Sequence, residues 1–103
     1  MKATQETVAR VIGMIPRGKD KAISVNSIAA GLGMRERGVR EAIEVARANG
    51  VVILNDYNGR GYYRTDDLDE ISAAYWREKR RMKHMYQATL PMRRLLKAAG
   101  RDV

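Results

Sequence analysis

The stretch that decides the fold is Gly31-Leu32-Gly33-Met34-Arg35-Glu36-Arg37-Gly38-Val39-Arg40-Glu41-Ala42-Ile43-Glu44-Val45-Ala46-Arg47-Ala48-Asn49-Gly50. A Gly-Leu-Gly turn opens it, and a helix over about 35–49 follows, with Val39, Ala42, Ile43 and Ala46 as a stripe at helical spacing. Asn49-Gly50 closes the helix with the two residues that best tolerate left-handed backbone. Upstream of the turn, Ile28, Ala29 and Leu32 form the apolar side of a shorter helix. Asn26 or Ser24 can cap it, because either side chain accepts a bond from the unpaired amides of the first turn. Two short helices joined by a glycine turn make a helix-turn-helix unit.

Working outward, Ala22-Ile23-Ser24 reads as a short extended stretch, preceded by the polar loop Arg17-Gly18-Lys19-Asp20-Lys21. Before Pro16, the residues Val8, Val11, Ile12 and Ile15 mark an amphipathic helix over 4–14. Downstream, Val51–Leu54 is β-branched and apolar, 55–61 holds turn residues, and Tyr62-Tyr63-Arg64 resumes a strand. Asn58-Gly59 between two such runs is a strong hairpin signal. Side chains alternate along a strand, so one of Tyr62 and Tyr63 closes the core and the other faces away. Thr65-Asp66-Asp67-Leu68-Asp69-Glu70 then starts another helix, with a capping side chain and acids that complement the helix dipole. Helix capping is also the reading for the cluster of Asn55 and Asp56 with Asp66, Asp67, Asp69 and Glu70, since its spacing lacks the glycine and glutamate of a calcium loop. The order helix, strand, helix, turn, helix, hairpin predicts a mainly α (α+β) winged helix-turn-helix over residues 1–65. A long C-terminal helical extension occupies 66–103.

The residues that carry this order form a recognisable set: Ile23-Ser24, Ile28-Ala29, Leu32-Gly33, Arg37, Val39-Arg40, Ile43, Arg47, Gly50 and Gly61-Tyr62-Tyr63. Over roughly residues 8–64 the pattern resembles the type 11 helix-turn-helix family. Two positions depart from it: Met34-Arg35 stands where many members carry a Ser or Thr, and Ala46 where leucine is usual. The resemblance implies that the third helix enters the major groove of double-stranded DNA and that the hairpin, the wing, contacts the flanking backbone. Arg35, Arg37 and Arg40 then fall where bases are read, and Asn58, Arg60 and Arg64 on or beside the wing.

Charge agrees with a polyanionic partner. Twenty Lys and Arg against twelve Asp and Glu give a net charge of +8, and both halves of the chain share the excess. Lys79, Arg80 and Lys83, in the run Arg77–Lys83, are further candidates for phosphate contact. Arginine offers guanine paired hydrogen bonds worth about 1–3 kcal/mol of discrimination. The competing reading is an ordinary solvated face, because Glu36–Arg40 and Arg37–Glu41 are i,i+4 pairs worth roughly 0.2–0.5 kcal/mol each. The glutamates among these arginines disfavour indiscriminate binding. A sequence-selective DNA-binding protein is therefore expected, a transcriptional regulator or a phage-type accessory. The alternative is a winged-helix protein–protein adaptor with a basic tail.

Other functions find little support. There is no cysteine and His84 is the only histidine, so neither a thiolate nor a multi-histidine metal site is expected. No Ser/His/Asp set or phosphate-cradling loop is present, so no catalytic residue, cofactor or small-molecule ligand is expected. The longest apolar run, Val51–Leu54, is far too short for a bilayer, and no signal peptide is evident, so the cytoplasm is the expected compartment.

In the extension, Leu68, Ile71, Tyr75, Met82 and Met85 follow a heptad-like stripe, interrupted at Glu78. A helix over 67–88 would be about 33 Å long, more than a domain of this size covers, so the stripe predicts a homodimer. Pro91 predicts a break near Thr89-Leu90, followed by a short helix over Met92–Ala99. Trp76, off the stripe, is expected to pack back on the first domain.

Overall fold

The computed structural model describes residues 3–56 and 59–103, and it is mainly helical with one small antiparallel sheet. Six elements lie in the first compact unit, Met1–Asp67: α1 (Gln5–Met14), a short 3-10 helix (Lys19–Lys21), α2 (Val25–Leu32), α3 (Glu36–Ala48), β1 (Leu54–Asp56) and β2 (Gly61–Tyr63). The second unit, Leu68–Val103, is essentially one helix, α4 (Leu68–Ala98).

Each short helix is stopped and started by its own residues. Thr4 caps α1 by accepting from the Thr7 amide at 3.2 Å, and Ser24 caps α2 by accepting from the Ser27 amide at 3.1 Å. Of the two caps considered for α2, Ser24 is the one used. Gly33 ends α2 in left-handed backbone, and the Met34 amide reaches back to the Ala29 carbonyl at 2.9 Å. Arg35 occupies the N-cap of α3 and supplies no side-chain cap.

The three helices share one core. Val8, Val11 and Ile15 from α1 and its end meet Ile28 and Ala29 from α2. Val39, Ala42, Ile43 and Ala46 from α3 complete the cluster with Ile53. Ile28, Ile43, Val11 and Val39 are the largest fully buried side chains. The stripe read on α3 is thus the buried face of that helix.

The hairpin begins later than the run Val51–Leu54 suggests, because neighbouring groups claim the earlier backbone. Gly50 is in left-handed backbone, its amide bonds the Arg47 carbonyl at 3.0 Å, and the Val51 amide bonds Ala46 at 3.0 Å. That is a Schellman closure of α3, and it takes Val51 out of any strand. The carbonyl of Ile53 is occupied by the Arg47 guanidinium. Pairing therefore starts at Leu54 opposite Tyr63 and runs through Asn55–Tyr62 to Asp56–Gly61. Asn55 and Asp56 belong to a strand and cap no helix, and Asp56 is buried.

A third piece of chain joins this sheet through isolated bridges. Ile23 and Tyr62 exchange two backbone bonds of 2.9 and 2.7 Å. Further along, the Arg64 amide bonds Pro16 and its carbonyl accepts from Gly18, both at 2.9 Å. Gly61 makes the close approach possible: its φ is +103°, and a Cβ there would collide with the Ile23 carbonyl oxygen.

The expected break at Pro91 does not occur, and α4 runs unbroken from Leu68 to Ala98. A proline forfeits one helical bond and crowds the preceding turn, at about 3 kcal/mol. A break would create two new helix ends, each with several unpaired backbone groups. Strong helix formers from Met92 to Ala98 carry the helix on to a glycine stop, where the Arg101 amide bonds Leu96 at 2.8 Å. Trp76 is 56% exposed and meets Tyr75 edge-on at 5.1 Å. It is not packed away as expected. Among the described residues no helix is long and apolar enough to cross a membrane.

Candidate nucleic-acid interface

The outward face of α3 follows from its buried one. With 100° of rotation per residue, Arg37, Glu41 and Glu44 lie opposite the Val39–Ala46 stripe, and Arg40 and Arg47 lie along one flank. Arg35 precedes the helix in extended backbone and does not share this face. Arg37 and Arg40 are thus brought together, and Arg35 is set apart from them.

Both arginines are held within their own helix. Arg37 pairs with Glu41 at 3.3 Å, and Arg40 pairs with Glu36 at 3.6 Å. The Arg37 side chain remains 88% exposed, so this pair is a surface contact in full solvent. Such pairs stabilise by only a few tenths of a kcal/mol and are weakened by salt, so a stronger acceptor displaces the glutamate at little cost.

The flank of α3 carrying Arg40 borders a concavity of about 340 Å³, lined by Ser24, Val25, Arg40, Asn55, Asp56, Gly59, Gly61 and Tyr62. Three separate segments therefore meet here: the start of α2, the middle of α3 and the base of the hairpin. Arg40 lies on one wall of the concavity and Asp56 in its lining.

Arg47 fixes the hairpin against α3, a role that its place in the sequence does not reveal. Its Nε and Nη2 donate to the Ile53 carbonyl at 3.1 and 2.7 Å, and its guanidinium lies 5.7 Å from the centre of the Tyr62 ring. The signal was present as a basic residue in the last turn of α3, within reach of the chain that turns back past Gly50. Tyr62, half-buried beneath it, is the tyrosine packed against the helical core, and Tyr63 is buried, at 5% exposure.

The remaining candidates are distributed over three regions. Arg60 is exposed at the turn between Gly59 and Gly61, both with positive φ. Asn58 lies outside the described residues. Arg64 is half-buried and follows β2, beside the loop that carries the exposed Lys19 and Lys21. It therefore belongs to that loop region and not to the hairpin tip. Arg17, in the same loop, is bound to Asp66 at 2.7 Å. On α4, Lys79, Arg80 and Lys83 are exposed, with the Lys79 ammonium 5.5 Å from the centre of the Tyr75 ring. Among the described residues no three His, Asp or Glu side chains are grouped as metal ligands would be. Comparison of the chain with protein-family models, with curated proteins and with solved structures gave no match.

Proposed function

We propose that the protein binds double-stranded DNA selectively, as a winged helix-turn-helix. In this reading α3 lies in the major groove with Arg37 and Arg40 toward base edges, while the hairpin and Arg60 follow the phosphate backbone. The observation that carries it is the pairing of Arg37 and Arg40 on one exposed face of α3, next to a hairpin locked to that helix by Arg47. A base contact worth about 1–3 kcal/mol outweighs an exposed i,i+4 pair worth roughly 0.3–0.5 kcal/mol. Exchange of partner on binding is therefore favourable. The excess of eight positive charges over the whole chain supports phosphate contact.

The same two ion pairs also favour a second reading, a protein–protein adaptor in which α3 is a self-neutralised surface. One measurement separates them: affinity for a duplex selected from random sequence against a scrambled duplex, at physiological salt. Specific binders reach ratios of about a thousand or more. A ratio near one leaves the adaptor.

A further inference from the structure

The unbroken course of α4 extends its apolar stripe beyond Pro91. Steps of three and four alternate without error from Leu68 through Ile71, Tyr75, Glu78, Met82 and Met85. Because the helix continues, they run on through Thr89, Met92 and Leu96. That is a coiled-coil seam of nine positions spanning four heptads, with two polar positions, Glu78 and Thr89. Apart from the half-buried Ile71, its apolar members lie open: Met82 is 54% exposed, Met85 61% and Met92 62%. Pro91 lies roughly 130° around the helix from the seam positions beside it, where it obstructs no partner.

We infer that α4 pairs with α4 of a second copy as an antiparallel coiled coil, in the register that sets Met82 against the second copy's Met85. The two polar positions decide the orientation. A parallel pair in register would set Glu78 against Glu78, two carboxylates in a seam closed to water. In the antiparallel register, Glu78 meets the second copy's Thr89, Tyr75 meets Met92, and Ile71 meets Leu96. Polar faces polar, and apolar faces apolar. Sliding by one heptad in either direction would put Glu78 against Leu96 or Met82, which leaves a carboxylate among apolar atoms. The favoured register is also the one that overlaps the two helices almost end to end.

The polar layer is chemically competent. The Thr89 hydroxyl now donates to the Tyr86 carbonyl at 2.7 Å, and rotation about its side chain redirects that donor to the opposing Glu78. Arg81, 4.0 Å from Glu78 on the same helix, supplies the compensating charge. The inference rests on reading α4 as an association helix and is independent of what α3 binds, so its failure leaves the DNA measurements untouched.

Cysteine cross-linking tests it cleanly, because the chain has no cysteine of its own. Tyr75→Cys and Met92→Cys are made as separate proteins, both at exposed positions. On mild oxidation each alone should stay uncross-linked, and an equimolar mixture should give the covalent heterodimer. In a parallel pair positions 75 and 92 would be about 25 Å apart along the axis. Rapid homodimer formation by either variant alone, or a mixture that does not cross-link, overturns the inference. So does sedimentation of the unmodified protein as a monomer at tens of micromolar (roughly the range of a modest dimer constant).

Discussion

Two residues bear different kinds of consequence. Arg37 is exposed and only loosely paired, so Arg37→Ala should leave stability nearly unchanged. On a preferred duplex it should cost about 1–3 kcal/mol and relax preference at one base pair. An equal loss on every duplex would make Arg37 a phosphate contact. Gly61 is the opposite case, with no chemistry of its own and no freedom to change. Alanine there meets the Ile23 carbonyl and must also adopt a positive φ, so Gly61→Ala should lower unfolding free energy by about 2–4 kcal/mol in urea titration. A change below about 0.5 kcal/mol would show that the strand moves freely away from Ile23. At this scale the sequence was informative wherever a residue acts on its neighbours. The Gly50 stop and the buried Ala46 were legible and the α2 cap was narrowed to Ser24 or Asn26, because each follows from local backbone chemistry. Arg47 was not, since its acceptor is a carbonyl presented only after the chain has turned back.

Among the elements, the helices of the first unit followed from periodicity and β2 from Tyr62-Tyr63, whereas β1 begins later than its apolar run suggests. A stripe such as Val39–Ala46 repeats often enough to define a face. Val51–Leu54 is too short to reveal that the Schellman closure and Arg47 have already used its backbone groups. The course of α4 turned on relative costs. Pro91 lowers helix stability, but two new ends would lower it further. Pro91→Ala should therefore raise resistance to thermal unfolding, by up to about 3 kcal/mol in the helix itself. Far-ultraviolet circular dichroism at low temperature should change little, because the segment is already helical. A gain of ellipticity equal to a full turn or more would indicate a helix broken at Pro91.

For the whole molecule, basic residues on both units bear on how strongly salt affects DNA binding. Arg60, Arg64, Lys19 or Lys21, and part of Arg77–Lys83 are the phosphate candidates. If about four to six phosphates are neutralised per subunit, log affinity should fall against log salt with a slope of roughly −4 to −5. Alanine at both Arg60 and Arg64 should flatten that slope by about two and leave base preference intact. If only Arg60 contributes, the change will be about one, in line with the place of Arg64 beside the first loop. Net charge makes a polyanionic partner an expectation of the sequence, whereas the distribution of contacts depends on which loops the fold brings side by side. The pairing of Ile23 with Tyr62 also has a consequence in time. As the chain leaves the ribosome, the backbone groups of Ile23 wait for about forty more residues, roughly two to eight seconds at usual rates of synthesis. Helices α1, α2 and α3 can form long before then, within microseconds of emerging. The hairpin is thus the last part of this unit to close, and in pulsed amide exchange Ile23 and Tyr62 should gain protection after the core of α3 has done so.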